Sequence, residues 1–368
     1  MQPPVAYIDL RAVEENAARL LDRVKPRGLL AVVKWNAYGH GLIECAKALD
    51  RAGAAGFGVS SPQEGVRLRK AGLTQPILVM TDWVGKPPKL FLDWNLEAAA
   101  TSWYKVEYLD AIARNLGHSI PAHIKFDTGL GRVGLPHAKS QKLLKKIAGM
   151  KHLQIAAIYS HLDYAGPRDR DKGERQIKVF NRIVKEAAEL GIQPRWIHLA
   201  NSAAALALPD IPGNLVRSGI ALYGQPPSPE VAQLLPLKPV MTLAGSIVST
   251  RRLIKGQGYP ANLFFKAPVN GWGAEINLGY STGYPSSIAG HAPVLWRGRR
   301  VRLLSAMSDR SSFVFITKER PEIGDEIIFW GKQNNNTLFL HELAPLIDCL
   351  PYELPTWLSP KLQRQYLR

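Results

Sequence analysis

Eight short apolar runs alternate with longer amphipathic stretches between Leu29 and Ser218, and this alternation narrows the possible folds most. The runs are Leu29–Lys34, Gly56–Ser60, Pro76–Met80, Leu96–Thr101, Ala122–Asp127, Leu153–Ser160, Trp196–Ala200 and Asn214–Ser218. Apolar runs this short fit strands covered on both faces, and the stretches between them fit the covering helices. In Glu174–Leu190, for example, Ile177, Phe180 and Val184 recur at helical spacing, with Gly191 as a stop. Eight strand–helix units predict an α/β chain with an N-terminal (β/α)8 TIM-type barrel. A doubly wound open sheet is the alternative. The barrel is preferred because its strand count matches and because polar residues gather at several strand ends.

Upstream, Ala6–Leu10 reads as an opening strand and Arg11–Val24 as a helix. Beyond Gly224 the texture changes. Gln225–Pro239 is proline-rich and reads as a linker. From Val240 the pattern is β-type: Met241–Thr250, Asn262–Phe265, Ala274–Leu278, Pro293–Trp296, Val301–Ala306, Phe313–Thr317, Asp325–Phe329 and Leu338–His341. The expected organisation is a barrel domain over 1–235 and a C-terminal all-β domain over 236–368, with the opening strand free to join either.

A hydrophobic fraction of 46% and a charged fraction of 21% argue against a disordered or fibrous chain. No stretch approaches a membrane span. Met1–Leu10 lacks a basic patch followed by an apolar core, so no secretory signal is expected. Two cysteines, Cys45 and Cys349, suit a reducing compartment, and the cytoplasm is the expected location. The formal net charge of +17 raises nucleic-acid binding as a reading. However, the densest basic runs, Arg168–Arg175, Trp296–Arg302 and Lys361–Arg368, form no aromatic-interleaved stripe, and the first is broken by Asp169, Asp171 and Glu174. No nucleic-acid or membrane partner is expected.

Active sites of barrels form at the C-terminal ends of the strands. The first strand runs into Lys34. Apolar surroundings there would lower the amine's pKa and make it a nucleophile. On position alone, a lysine leaning into solvent is an equal reading. The seventh run leads into Asn201 and Ser202, and the eighth, through Arg217, into Gly219 and Ile220. Loops after the last two barrel strands commonly bind phosphate, and a serine hydroxyl with open backbone N–H groups suits that task. A helix-capping Ser202 is the plainer reading. Gly129-Leu130-Gly131-Arg132-Val133-Gly134 fits a dinucleotide pattern but lacks the acidic residue about twenty positions later that a ribose needs. The nine histidines show no metal-ligand spacing, and His118, His123 and His137, taken singly, read as surface or packing residues.

Ala31-Val32-Val33-Lys34-Trp35-Asn36-Ala37-Tyr38-Gly39-His40-Gly41 resembles the cofactor-lysine signature of the alanine racemase family. Further matches follow in the family's order: Lys125–Arg132, Ser160-His161, His198–Ala203, Arg217–Gly224, Leu278-Gly279-Tyr280 and Leu350–Glu353. The resemblance covers essentially the whole chain and implies a racemase of alanine that works with pyridoxal 5'-phosphate. It implies that Lys34 holds the cofactor and is the base on one face of the substrate Cα, with Tyr280 the base on the other. It places Tyr38, Asn201, Ser202, Gly219, Ile220 and Tyr352 around the phosphate, and Arg217 at the pyridine nitrogen, with His161 and Arg217 together tuning Tyr280. It assigns the substrate to Arg132, to the backbone of Met307 and to Tyr284, which would narrow the entrance to the site, and makes Lys125 a candidate for carbamylation. It also implies a homodimer in which Tyr280 serves the partner's site.

Two segments depart from the family pattern. Tyr280 is followed by Ser281-Thr282-Gly283 where Ala-Asp-Gly is usual, and Ser305–Arg310 stands where a Cys-Met-Asp segment is usual. These departures keep a second substrate class open, a racemase of lysine, serine or arginine. A non-catalytic pyridoxal-phosphate binder is a third reading, weakened because such proteins usually lack the β domain and its tyrosine.

Overall fold

The computed structural model describes residues 2–368 apart from 82, 84, 165, 209 and 261–264. The chain divides into two units, one comprising Val13–Ala37 and Leu42–Lys238, the other Met1–Ala12, Tyr38–Gly41 and Pro239–Arg368.

The first unit is a closed barrel. Its eight strands are Gly28–Val32, Gly56–Val59, Ile77–Val79, Glu97–Ala100, Ala122–Asp127, Ile155–Tyr159, Trp196–His198 and Leu215–Ser218. Each pairs in parallel with the next, and the eighth closes on the first with Leu215 opposite Gly28 and Arg217 opposite Leu30. Closure buries both faces, which is why the strands read as continuous apolar runs. Helices Leu42–Arg51, Pro62–Lys70, Trp103–Leu116, Ser140–Ala148 and Arg170–Glu189 are among those that separate the strands.

The first barrel strand stops at Val32, short of the expected Lys34. Lys34–Tyr38 is instead a single helical turn, left-handed at Trp35 (φ 56°, ψ 51°), Asn36 (φ 53°, ψ 45°) and Ala37 (φ 54°, ψ 51°). Each such non-glycine residue costs about 1–2 kcal/mol, so the turn persists only because its surroundings hold it. Glu64 supplies much of that hold. Its carboxylate accepts from the Asn36 N–H at 3.1 Å and from the N–H and Oγ–H of Ser60 at 2.9 and 2.7 Å. The Asn36 side chain accepts from the Leu42 N–H at 2.9 Å.

The second unit is built on nine strands in the order Asn336–Leu338, Glu326–Gln333, Pro293–Trp296, Arg299–Met307, Ser312–Ile316, Gly271–Ile276, Met241–Leu253, Val5–Asp9 and Gln363–Leu367. Glu326–Gln333 also pairs with Met241–Leu253, which curls the sheet on itself. Trp296, Trp330, Tyr284 and Phe329 fill its core. The opening strand belongs here, with Ala6 opposite Leu243 and Arg364.

Two expectations change, and a third lies mostly outside the described residues. The basic tail contains the strand Gln363–Leu367, a parallel partner of Val5–Asp9. It lies at the sheet edge with no buried residue, so it carried no apolar alternation. The expected strand Leu338–His341 ends at Leu338, and Leu340–Leu343 is a helical turn closed when Glu342 accepts from the Phe339 N–H at 2.9 Å. The expected strand Asn262–Phe265 lies mostly outside the described residues. Among the described residues, no helix is long and apolar enough to cross a membrane.

In the second unit, Gly39 (φ +84°) packs so closely that a Cβ would sit 2.0 Å from the Pro355 carbonyl oxygen. The Arg364 guanidinium also donates to the Gly39 carbonyl at 2.7 Å. Gly39→Ala is therefore expected to cost more than about 2 kcal/mol of stability, combining left-handed strain with a backbone clash. Urea denaturation checks this; an unchanged midpoint would contradict the packing described.

Candidate active site

Within the barrel unit, the expected site residues lie in or just after the C-terminal ends of the first, fifth, sixth, seventh and eighth strands. Arg217 is their centre and is buried. Its Nη1 donates to His198 Nδ1 at 2.7 Å, and its Nη2 donates to the Ser160 carbonyl at 2.7 Å and to His161 Nδ1 at 3.3 Å. Its guanidinium lies over the Tyr159 ring, 5.2 Å from the centroid. Burial pushes Arg217 down to about 10, with Tyr159 opposing and Arg132 adding to the shift. It stays a cation near neutral pH, able to donate hydrogen bonds but not a proton.

Lys34, Lys125 and His161 share this field. Burial, then Arg132, lowers the Lys34 amine. Lys125 is buried with its Nζ 5.9 Å from the Tyr159 ring, and burial, Arg132 and Arg217 bring it down to about 8. His161 falls well below the usual imidazole value through burial and through Arg217, Arg132, Lys125 and Lys34. Desolvation and mutual repulsion both disfavour cations here, so the cluster is built for anions. The Arg132 side chain itself is exposed.

The last two strand ends supply hydroxyls and amides. Ser202 and Ser218 are buried with their Oγ atoms 3.0 Å apart, and the Gly219 N–H donates to Ser202 Oγ at 3.2 Å. Ile220 opens the short helical turn Ile220–Tyr223. Ser202 is not the helix cap. Asn201 is, accepting from the Ala204 N–H at 3.0 Å while its amide donates to the carbonyls of Leu162 and Tyr164 at 3.3 and 3.0 Å. That leaves the Ser202 hydroxyl beside Gly219 and Ser218. The rejected dinucleotide loop is occupied by its own carboxylate: Asp127 accepts from the N–H groups of Gly129, Gly131 and Arg132 at 2.9, 3.2 and 3.1 Å. A phosphate would meet an anion there.

The second unit holds the rest. Tyr280 is 53% exposed at the start of the turn Tyr280–Thr282. Its N–H donates to the Ser308 carbonyl at 3.1 Å, and the Ser281 N–H donates to the Asp309 carbonyl at 2.9 Å. The two segments that depart from the family pattern are thus zipped together by backbone bonds that do not depend on side-chain identity. Met307 ends its strand opposite Ser312. The Tyr38 and Tyr352 rings meet edge-on at 6.1 Å.

Tyr284 requires correction. Its ring is fully buried, stacked on Trp330 at 5.8 Å and edge-on to Phe329 at 4.8 Å, so it packs the core of this unit and does not line an entrance. His123 is of the packing kind, with partners the sequence did not show. It is fully buried and hydrogen-bonded at both ring nitrogens, to His198 and Glu97. Ser218, His198, Glu97 and Glu64 were not singled out as site residues. His198 and Ser218 fall within the matching runs His198–Ala203 and Arg217–Gly224, Glu97 is polar on an otherwise apolar strand, and nothing local marked Glu64.

The family model for the alanine racemase N-terminal domain matches residues 8–227, and that for the C-terminal domain matches 240–366. The alanine racemase of Geobacter sulfurreducens is 35% identical over all of this chain and 97% of its own length. The crystal structure of alanine racemase from Streptomyces lavendulae superposes with a TM-score of 0.93 at 30% identity, covering 100% of this chain and 98% of that one. The alanine racemase of Bartonella henselae, solved with covalently bound pyridoxal phosphate, gives 0.89 at 26% identity, with full coverage of both chains. With both domain models matched along its length and a relative this similar over its whole extent, the chain belongs to the alanine racemase family.

Proposed function

We propose that this chain interconverts L- and D-alanine with pyridoxal 5'-phosphate held covalently by Lys34, and that the D-alanine serves peptidoglycan synthesis. The observation that carries the reading is the basic cluster at the C-terminal end of the barrel, centred on buried Arg217 and its bonds to His198 and His161, with the depressed Lys34 amine in its field. These residues fit the cofactor. Lys34 offers an amine less attached to its proton than an ordinary lysine. Ser202, Gly219 and Ile220, with Asn201 fixing the loop, offer neutral donors for the phosphate. Arg217 offers a donor that cannot release a proton to a ring nitrogen. When bound, pyridoxal phosphate draws electrons from the substrate Cα and so acidifies its hydrogen.

Racemisation needs one group to remove that hydrogen and another to return it from the opposite face. We assign these tasks to Lys34 and to Tyr280 of the partner subunit in a homodimer. The exposure of Tyr280 leaves its phenol available to a second copy. Arg132 would hold the substrate carboxylate as a charge-assisted pair, joined by the Met307 backbone N–H. Turnover of purified protein on a panel of L-amino acids tests the substrate. Alanine is expected to lead; a clear preference for lysine, serine or arginine would replace it.

Lys125 has a further expected property. An amine brought down to about 8 is partly neutral near pH 7.5, the form that adds carbon dioxide. In 13C-bicarbonate, the protein is expected to show a carbamate carbon resonance that Lys125→Ala lacks. A resonance unaffected by that substitution would place the carbamate elsewhere.

A further inference from the structure

A hydrogen-bonded chain leads away from Arg217 through the barrel interior. His198 Nε2 lies 3.0 Å from His123 Nδ1, His123 Nε2 lies 2.6 Å from Glu97 Oε2, and Glu97 Oε1 accepts from Arg195 Nη2 at 2.6 Å. His198 ends the seventh strand, whereas Glu97 opens the fourth, so the chain spans the barrel from its C-terminal to its N-terminal end. We propose that Glu97 is a positioning residue: its carboxylate fixes the tautomers of His123 and His198 so that His198 Nδ1 is an acceptor for Arg217.

The polarity of the chain follows from donor counting. A guanidinium has donors only, so His198 Nδ1, 2.7 Å from Arg217 Nη1, must be bare. A neutral His198 then carries its proton on Nε2 and donates it to His123 Nδ1. His123 must in turn carry its proton on Nε2, where it meets an ionised carboxylate, which only accepts. Each link has one arrangement, fixed from both ends, by the donor-only guanidinium of Arg217 and by the acceptor-only carboxylate of Glu97. With that acceptor removed, His123 gains nothing from the Nε2 tautomer. The opposite orientation of both rings would set an N–H against the guanidinium.

The surroundings keep the rings neutral and still. Burial and Arg217 hold His198 well below the usual imidazole range, and burial lowers His123 despite Glu97. Burial pushes Glu97 up, but His123 and Arg195 outweigh it and keep the carboxyl ionised. The His198 ring stacks on Tyr159 at 4.7 Å and 15°. A carboxylate deep in the barrel thus sets the plane of Arg217. The consequence for catalysis rests on the function proposed above; the tautomers do not.

The test is 15N imidazole NMR on cofactor-free protein, with kinetics and absorbance of the loaded enzyme alongside. In the wild type, His123 and His198 are expected to be neutral and protonated on Nε2. Glu97→Leu is expected to lose the single His198 tautomer, lower kcat roughly 10–100-fold with little change in KM, and shift the visible band of the bound cofactor. Glu97→Gln combined with Arg195→Met, which turns the amide oxygen to His123, is expected to restore tautomer and kcat. Should Glu97→Leu not fold, the wild-type spectrum decides, because a His198 proton on Nδ1 overturns the proposal. An unchanged tautomer and kcat in folded Glu97→Leu overturns it as well. Correct tautomers in a protein that racemises nothing would instead refute the proposed function alone.

Discussion

Lys34→Ala is expected to bind pyridoxal phosphate without a covalent bond and to lose racemisation by at least roughly 10²–10⁴-fold, the scale of a missing positioned acid–base group. Two losses add in this variant: the covalent attachment point, and the base on one face of the substrate. The surrounding field explains why a lysine can do both. Burial beside Arg132 lowers its pKa, so a larger fraction of the amine is free at a given pH. The fold should survive, because the left-handed turn is held through Asn36 and Glu64. Steady-state kinetics with both enantiomers check the loss. Activity within a few fold of wild type would remove Lys34 from the chemistry.

Tyr280→Phe is expected to be nearly as damaging, again roughly 10²–10⁴-fold in racemisation, but with a directional signature. The hydroxyl is the only atom lost, on a side chain with 53% of its surface open, so folding is expected to be unaffected. With Lys34 intact, one enantiomer should still exchange its Cα hydrogen with solvent deuterium while inversion stops. D-alanine is expected to exchange and L-alanine not. Symmetric exchange, or normal racemisation, would show that another group serves the second face.

Most of the barrel was legible because closure buries both faces of its strands, leaving short apolar runs such as Ile77–Val79 between amphipathic helices. The terminal strand Gln363–Leu367 was not, since an edge strand without a buried residue needs no apolar period. The left-handed turn after Val33 was hidden for a different reason. Trp35 and Ala37 have no local preference for that conformation, Asn36 alone tolerates it readily, and tertiary bonds from Glu64 hold the turn. Lys34 stood out by its position and its motif. Glu97 and His123 did not, because their partnership joins strands distant in sequence and exists only once the barrel closes. Tyr284 shows the converse: the family resemblance implied a place at the site, whereas packing against Phe329 and Trp330 places it in a core.

The central claim is that Lys34 is the amine that holds the cofactor. Borohydride reduction of the loaded protein, followed by peptide mass mapping, tests it most directly. One pyridoxyl phosphate mass per chain is expected on the peptide carrying Lys34, and none on the peptide carrying Lys125. A label on Lys125 or any other lysine, or no label on a protein that racemises alanine, would contradict the account.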